Sequence, residues 1–549
     1  IMPSLVGSEM CIRDSPYRVA AATPGEESPS PPVWNRRPIM TCVKRKPSAA
    51  ASMAPRGLCP LVVMLIVALA LTACATHETT QPSTPRASSP QVPAPVGALT
   101  PDSLARAVTL DNVMRHVEAL QAVADANHGN RAAGTPGYDA SVDYVAGLLR
   151  AAGFRVTTPT FDYTRYDAGP VDLRADGAAV EATVLEYSPG TGRAPVTGAP
   201  VVVGGLGCAP ADFPAAVRDS VAVITRGGCE FVRKARAAQT AGARAVIIVN
   251  NAPEKLSGAT LGTENPPTIP VVGVASGDAE RITSARSISL AVTAETKKIV
   301  SRNVIAQTTT GDPSDVVLAG AHLDSVEAGP GINDNGTGTA AVLETALRLG
   351  SAPRVPHAVR FAFWGAEEDG LVGSTRYVES LDDQQRRALA LYLNFDMLGS
   401  PNGGFFVYDG DDSARDGAGP GPTGSAGIER VFTRFYDTFY RGRQIVDAPT
   451  DFDGRSDYGP FIEIGVPAGG VLTGAEGIKT PEQARLWGGT AGQPFDAHYH
   501  SPGDTVANVN RDIFGINVSA VAYGVATYAL STAGPDGVPG PAERQRRPR

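Results

Sequence analysis

Two hydrophobic patterns divide the chain into regions of different structure. Between residues 101 and 155, apolar residues recur at helical spacing, as they do at Leu110, Val113, Val117 and Leu120, which predicts helices. From about Asp167 to Lys298, short runs of Val and Ile alternate with Gly and Pro, a pattern typical of short strands and turns. We therefore expect a helical start followed by a separate, strand-rich segment.

From Asn303 to about Ala533 the chain repeats strand, loop and helix. Apolar strands are predicted at residues 316–320, 359–364 and 391–395, and a helix at residues 339–349. Alternating strands and helices favour a largely parallel sheet covered on both faces. The predicted fold is α/β: a three-layer α/β/α sandwich with a mostly parallel, mixed sheet, formed by residues 103–166 and 300–533.

Composition narrows the class of protein. The chain has 549 residues, 42% of them hydrophobic, and a formal net charge of −8. This apolar content excludes a mainly disordered chain, and the acidic balance argues against nucleic acid as a partner. Only 7 residues are His and 6 are Cys, so a cluster of histidines is informative and a scaffold built from disulfides is not expected.

The N-terminal region has the order of an export signal. Residues 1–52 are polar and Pro-rich, and we interpret them as non-native or upstream sequence. Residues 53–74 combine a positive start, the apolar run from Leu58 to Leu71, and Leu-Thr-Ala-Cys, which resembles a bacterial lipobox with Cys74 as the lipidated residue. The alternative is an ordinary secretory signal with an incidental Cys.

A lipid anchor implies an exported protein that faces the periplasm or the cell exterior. Residues 75–102 are rich in Pro, Ser and Thr and predict a flexible tether, whereas the Gly/Pro-rich residues 534–549 predict a disordered tail. Export also allows a disulfide between Cys208 and Cys229. Two buried free thiols are the alternative.

The strand-rich segment resembles a known accessory module. Its motifs are the run Thr225–Phe231, Lys234, Ala241-Gly242-Ala243 and Asn250-Asn251. They are similar to those of the protease-associated (PA) domain, a small α/β insert, and we assign it residues 167–299. The resemblance implies a lid or channel wall without chemistry of its own; the alternative is a generic βαβ unit.

Ionisable residues follow the predicted strands of the larger domain. They are His322 and Asp324, then Asp334 in a Gly-rich loop, Glu367-Glu368, Asp396 and the closing His498-Tyr499-His500. Two imidazoles and three carboxylates suit Zn²⁺. Five protein ligands exceed one four-coordinate site, but two ions that share a carboxylate would accommodate them. One Glu of the pair is then free to accept a proton from water.

The motifs around these residues resemble those of exported di-zinc aminopeptidases. They are Ala321–Ser325, Ile332–Gly336, Trp364–Glu368, Asn394–Met397, Tyr499-His500, Asp504-Thr505 and the earlier Gly129–Thr135. The similarity covers about residues 105–530. It implies two Zn²⁺ per chain, the first bound by His322 and Asp396, the second by Glu368 and His500, with Asp334 bridging both.

The resemblance also implies roles for residues beside the metal ligands. Glu367 would be the general base and then the acid, Tyr499 would donate to the oxyanion, and Asp324 would hold the other nitrogen of His322. His498 is a rival to His500, but the family motif places the ligand after the Tyr. Arg455 is either a substrate-positioning residue or part of a structural salt bridge.

These observations together predict a zinc aminopeptidase that removes N-terminal residues from peptides with a free N-terminus. Three alternatives stay open: a carboxypeptidase or dipeptidase of the same superfamily, a glutaminyl cyclase-like transferase, and an inactive receptor-like binding protein.

Overall fold

The structure is a computed structural model that describes residues 94–548 except residues 257, 416 and 439–444. The chain divides into two units, residues 1–89 and residues 90–549. The first unit lies outside the described residues. The expected signal peptide, its Cys74 and most of the expected tether therefore lie outside them too.

Seventeen strands are present in the described residues. Their bounds are β1 Arg155–Thr157, β2 Thr160–Ala175, β3 Ala178–Val180, β4 Thr183–Val184, β5 Val196–Gly198, β6 Pro200–Val202, β7 Val221–Thr225, β8 Ala245–Val249, β9 Val271–Val274, β10 Ile288–Arg302, β11 Val304–Gln307, β12 Asp312–His322, β13 His357–Trp364, β14 Leu389–Phe395, β15 Phe406–Tyr408, β16 Ala448–Thr450 and β17 Ala468–Leu472.

The same part of the chain forms twelve α-helices. Their bounds are α1 Pro101–Ala107, α2 Leu110–Ala126, α3 Pro136–Ala151, α4 Phe231–Thr240, α5 Ala279–Thr283, α6 Gly338–Leu349, α7 Val372–Ser380, α8 Asp383–Ala388, α9 Ser425–Thr438, α10 Gly459–Glu463, α11 Pro481–Trp487 and α12 Arg511–Leu530. Helices α1, α2 and α3 each begin after a Thr whose side-chain oxygen accepts a backbone N–H of the first turn, as expected of N-cap residues.

An eight-stranded sheet forms the centre of the larger domain, in the order β1-β11-β13-β12-β14-β17-β15-β16. Strands β13, β12, β14 and β17 are parallel neighbours, while β1, β11 and β15 pair antiparallel. The predicted mostly parallel, mixed sheet is confirmed.

Both faces of this sheet are buried. Along β12, Val317 and Ala319 belong to one hydrophobic cluster, which contains side chains of α2, α3, α6, α9 and α12. Their neighbours Val316 and Leu318 belong to a second cluster with α7 and α10. Because successive residues of a strand point to opposite faces, the sheet lies between two helical layers, and the predicted three-layer sandwich is confirmed.

Helix α12 is the one described helix that is long and apolar enough to cross a membrane. Most of its residues, including Phe514, Val518 and Val525, are buried in the first hydrophobic cluster. Its apolar character is therefore explained by the core of the domain.

The inserted module is carried on a long ribbon. Strands β2 and β10 pair antiparallel from Thr160↔Arg302 to Ala175↔Ile288. Beyond the ribbon, β6, β7, β8 and β9 form a parallel sheet with β4 added antiparallel at the edge. The predicted boundaries at residues 167 and 299 fall inside β2 and β10, so the ribbon belongs partly to each domain.

The expectation of a disordered tail over residues 534–549 is wrong for the described residues 534–548. Arg544 is 4% exposed and forms an ion pair with Asp315, and it also donates to the carbonyl of Arg387 at 3.0 Å. Arg546 donates to the carbonyl of Leu389 at 2.8 Å. Although the segment has no helix or strand, these arginines satisfy buried acceptors and fix it to the larger domain.

Candidate metal centre

The sheet brings the predicted chemistry to one edge. Strand β12 ends at His322, β13 ends shortly before Glu367-Glu368, and β14 ends directly before Asp396. These three strands are parallel neighbours. The side chains that follow them therefore meet at the carboxyl edge of the sheet, where ligand sites in such folds are found.

The first cluster surrounds the Nε2 atom of His322. This atom lies 3.1 Å from Oδ1 of Asp334 and 3.2 Å from Oδ1 of Asp396. His322 and Asp334 are buried, and the side chain of Asp396 is 14% exposed. One imidazole and two carboxylates thus converge on a common point.

The second cluster surrounds Nε2 of His500. It lies 2.9 Å from Oε2 of Glu368 and 3.2 Å from Oδ2 of Asp334. Asp334 therefore directs one carboxylate oxygen to each imidazole. This is the arrangement required of a carboxylate that bridges two cations.

The donor atoms fit a pair of zinc ions. Zinc bonds of about 2.0–2.1 Å in tetrahedral geometry place ligand atoms about 3.3 Å apart, close to the separations observed. Nε2 of His322, Oδ1 of Asp396 and Oε1 of Glu368 are buried and have no hydrogen-bond partner within the described part of the chain. Buried polar atoms normally have partners, so these atoms are suited to bind cations.

The electrostatics of the cluster also favour added positive charge. Burial, together with the neighbouring charge of Asp334, raises the pKa of Glu368 to about 7, and burial raises the pKa of Glu367 well above its usual value. Burial acts in the same direction on Asp334, but the nearby imidazoles of His322 and His500 outweigh it and lower its pKa. The negative charge of the carboxylates thus exceeds the positive charge that the imidazoles can carry, and divalent ions would balance the excess.

Asp324 is close to His322 in a different way from that predicted. Nδ1 of His322 lies 3.2 Å from the backbone carbonyl of Asp324 and 3.8 Å from its carboxylate. The carboxylate accepts the backbone N–H groups of Glu367 and Glu368, at 3.2 and 3.3 Å. The carboxylate of Asp324 therefore fixes the Glu pair, and its carbonyl faces the imidazole.

Tyr499 and Arg455 line the same cleft as the two clusters. The Tyr499 ring stacks on His500 with centroids 3.8 Å apart. Arg455 donates from Nη2 to the Tyr499 hydroxyl at 3.4 Å and lies 2.9 Å from Oε1 of Glu476. Both readings of Arg455 thus have support, because it faces the cleft and also forms an ion pair.

His498 is not part of either cluster of potential ligands. Its backbone N–H donates to Asp496, and a side chain at Gly503 would collide with its ring.

Three residues at or beside the clusters have a left-handed backbone conformation. His500 has a positive φ of 52°. Ala366 and Met397, which adjoin Glu367 and Asp396, have positive φ as well, at 58° and 51°. Such backbone conformations are costly for residues other than Gly and concentrate at functional sites.

Two buried residues, Asp504 and Arg131, support the loops of the centre, and the sequence alone indicates no role for either. Asp504 accepts the backbone N–H groups of Asn333 and Asp334 at 2.8 and 3.0 Å. Arg131 is fully buried and donates to the carbonyls of Pro330 and Gly331. Both lie in motifs quoted for the resemblance, but their partners are distant in sequence, so their contacts could not be predicted from spacing.

The insert is attached beside the Glu pair. The hydroxyl of Tyr163, on β2, donates to Asp369, and Arg165 pairs with Glu327. Farther out in the insert, Cys208 and Cys229 are joined by a disulfide. The base of the ribbon therefore forms part of the surroundings of the centre.

Comparison with known proteins identifies the family. The sequence model of peptidase family M28 matches residues 303–525, and that of the PA domain matches residues 196–282. A protein of Mycobacterium tuberculosis described as the probable lipoprotein aminopeptidase LpqL is 48% identical over 88% of this chain and 97% of its own length. The chain belongs to peptidase family M28. The predicted membership of a zinc peptidase family with an inserted PA domain is confirmed.

Solved structures agree with this M28 assignment. An aminopeptidase from Aneurinibacillus sp. strain AM-1 matches with a TM-score of 0.57 and 26% identity, over 78% of this chain and 95% of that one. A zinc aminopeptidase from Bacillus subtilis matches with a TM-score of 0.52 and 26% identity, over 79% and 97%. The chain is thus an enzyme, a hydrolase of the M28 family, as predicted.

Proposed function

We propose that this M28 protein is an aminopeptidase that hydrolyses N-terminal residues from peptides at a centre of two zinc ions. His322 and Asp396 would bind one ion, Glu368 and His500 the other, and Asp334 would bridge them. The observation that carries the proposal is that the two oxygens of Asp334 face two different imidazoles. The names of the relatives support the activity.

Glu367 is suited to move the proton. It is buried at the cleft, 3.9 Å from Nε2 of His322, and its backbone is fixed by Asp324. Bound zinc supplies a Lewis acid that makes water acidic and polarises the substrate carbonyl. A carboxylate of Glu367 accepts the proton of the attacking water and passes it to the leaving amine.

Tyr499 is suited to stabilise the oxyanion. Since Arg455 donates to the Tyr499 oxygen, the proton of that hydroxyl is free to point at the substrate. Fixed donors aimed at developing negative charge are a large source of catalysis. Arg455 therefore orients Tyr499 in this proposal, and Glu476 holds Arg455.

Charge explains cleavage at the N-terminus. The cleft is lined by carboxylates, among them Glu367, Asp396, Asp451 and Asp453. A protonated α-amine is attracted to this negative surface, whereas an acylated N-terminus carries no charge there. Peptides with a free N-terminus are thus the proposed substrates.

We further propose an exported, membrane-anchored enzyme. The anchor would be Cys74, which lies outside the described residues. The Cys208–Cys229 disulfide supports an oxidising compartment, and the M. tuberculosis relative is described as a lipoprotein. A Cys74→Ser variant should move from the membrane fraction to the soluble fraction.

The test of the activity uses Glu367→Gln, which keeps the size of the side chain but removes the base. We expect zinc content to stay as in the unmodified enzyme and kcat on aminoacyl substrates to fall by about 10²–10⁴-fold. Glu482→Gln, at an exposed carboxylate in the first turn of α11 and outside both clusters, is the matched control. Full activity of the Glu367→Gln variant would contradict the proposal.

A substrate panel distinguishes the alternatives. Peptides with a free N-terminus should be cleaved and their N-acetylated counterparts should not. Release of C-terminal residues, or cyclisation of N-terminal Gln without hydrolysis, would instead indicate a carboxypeptidase or a glutaminyl cyclase-like transferase.

A further inference from the structure

The Glu pair lies in a closed turn between β13 and α7. The backbone N–H groups of Gly370 and Leu371 both donate to the carbonyl of Glu367 at 2.8 Å. The N–H of Val372 donates to the carbonyl of Ala366 at 2.9 Å. Because these bonds join the two ends of the turn, a group that holds one of its residues restricts the position of all of them.

Two groups outside the turn hold it. One is the carboxylate of Asp324, in the larger domain, which accepts the backbone N–H groups of the Glu pair. The other is the hydroxyl of Tyr163, on strand β2 of the ribbon, which donates to Oδ2 of Asp369, the residue directly after the pair. An ionised carboxylate can only accept hydrogen bonds, so the direction of this bond is fixed.

The ring of Tyr163 is buried at the same turn. Tyr163 is 7% exposed and forms a small hydrophobic cluster with Ala133 and Ala366. Ala366 directly precedes the Glu pair, whereas Asp369 directly follows it. A single side chain of the ribbon therefore shares a cluster with the residue before the pair and donates to the residue after it.

The base of the ribbon is itself fixed to the larger domain. Ile299 pairs with Tyr163 across the ribbon, and a Cβ atom at Gly134 would lie 2.6 Å from Cγ2 of Ile299, so the loop that contains Gly134 lies directly against it. Arg165, two residues after Tyr163 and on the same face of the strand, pairs with Glu327 in the loop after β12. These contacts hold Tyr163 close to the turn.

We infer that Tyr163 is a positioning residue for the Glu pair, and that its hydrogen bond to Asp369 holds Glu367 where it can act as the base. The inference rests on the proposed function, because it takes Glu367 to be that base. It gives the ribbon of the insert a part in catalysis beyond that of a lid or channel wall. A displacement of about 1 Å of a catalytic group can lower the rate by about 10²-fold.

The test is the steady-state kinetics of Tyr163→Phe enzyme at saturating zinc. The change removes one hydroxyl and keeps the ring in its cluster. We expect kcat on aminoacyl substrates to fall by about 10–100-fold and KM to stay within about twofold, because the groups that bind the substrate are unchanged. A residue that only attached the insert would change the amount of folded enzyme and not the kcat of each folded molecule.

Tyr166→Phe is the matched control. Tyr166 lies on the same strand, and its hydroxyl donates to the carbonyl of Ser188 inside the insert at 2.9 Å. Its loss should leave kcat unchanged. An unchanged kcat in Tyr163→Phe, or an equal fall in both variants, would overturn the inference.

Asp369→Ala removes the same hydrogen bond from its other end and decides the question if Tyr163→Phe does not fold. We expect kcat to fall with KM nearly unchanged, and an unchanged kcat would contradict the inference. In the Asp369→Ala background, adding Tyr163→Phe should lower kcat by no more than about twofold, because the two residues act through one bond.

Two falls in kcat that multiply in the double variant would show that the residues act independently, and the inference would be wrong. An unmodified enzyme that releases no N-terminal residue from any aminoacyl substrate would instead refute the proposed function itself.

Discussion

At the scale of single residues, the role of each carboxylate in the centre follows from the groups that its two oxygens face. Asp334 directs one oxygen to each imidazole, whereas Asp324 directs both to backbone N–H groups of the Glu pair. Identical side chains thus have different roles because of the groups that face them. Of the predicted ligands, Nε2 of His322, Oδ1 of Asp396 and Oε1 of Glu368 have no hydrogen-bond partner among the described residues, whereas both oxygens of Asp324 have one.

Tyr499→Phe tests the oxyanion role at this scale. The change removes one hydroxyl and leaves the ring stacked on His500, so zinc content should stay the same. We expect kcat to fall by about 10²–10³-fold with a much smaller change in KM, since the bond forms with the transition state. Steady-state kinetics measure both constants.

Tyr166→Phe is the control for that experiment. Its hydroxyl donates to the carbonyl of Ser188 in the insert at 2.9 Å and should not affect kcat. A Tyr499→Phe enzyme with unchanged kcat would remove the hydroxyl from the mechanism.

The sequence predicts part of this residue-scale picture. His322, Glu367, Glu368 and Asp396 follow strands, and parallel strands bring their ends together, so their meeting could be expected. Ser456, whose Oγ donates to Oδ2 of Asp396 at 2.7 Å, could not be found in this way, because two strands, a helix and long loops separate it from Asp396 along the chain. Its contact depends on how residues 453–458 fold back over the sheet.

At the scale of elements, the parallel order β13-β12-β14 brings the proposed ligands together, and the β2–β10 ribbon places the insert beside them. The alternation of strands and helices predicted the sheet correctly. The ribbon was harder to predict, because long exposed strands show little hydrophobic periodicity. The assigned boundaries at residues 167 and 299 consequently fell inside it.

Replacing both Cys208 and Cys229 with Ser tests the contribution of the disulfide to the insert. The bond joins residues 21 positions apart. Closing such a loop lowers the conformational entropy of the unfolded chain, which stabilises the folded state by about 3 kcal/mol. We expect faster amide exchange in β7 and β8, measured by mass spectrometry, with unchanged exchange in β12 and β14.

Zinc content of that double variant provides the control, and it should equal that of the unmodified protein. Exchange that stays the same in β7 and β8 would show that the bond adds nothing to the stability of the insert.

At the scale of the larger domain, the C-terminal segment is an integral part of the fold. Its Gly and Pro content is typical of disorder, which is why a tail was expected. The structure shows the opposite, because Arg544 reaches the buried carboxylate of Asp315, which also lies 2.9 Å from Nδ1 of His357. Composition cannot reveal that Arg544 and Arg546 have hydrogen-bond acceptors in segments that are distant along the chain.

Arg544→Ala tests this attachment. The change leaves a buried carboxylate with fewer partners, and we expect the free energy of unfolding to fall by about 1–3 kcal/mol. Urea denaturation measures it, with Arg193→Ala at an exposed position as the control. A loss below about 0.5 kcal/mol, the range of ordinary surface changes, would show that the segment does not stabilise the domain.

The central claim is that Asp334 joins two zinc ions, and anomalous diffraction at the zinc absorption edge tests it most directly. Crystals of active enzyme should show two anomalous peaks, one beside His322 and Asp396, the other beside Glu368 and His500, with Asp334 between them. A single peak, or none, in crystals of fully active enzyme would contradict the account.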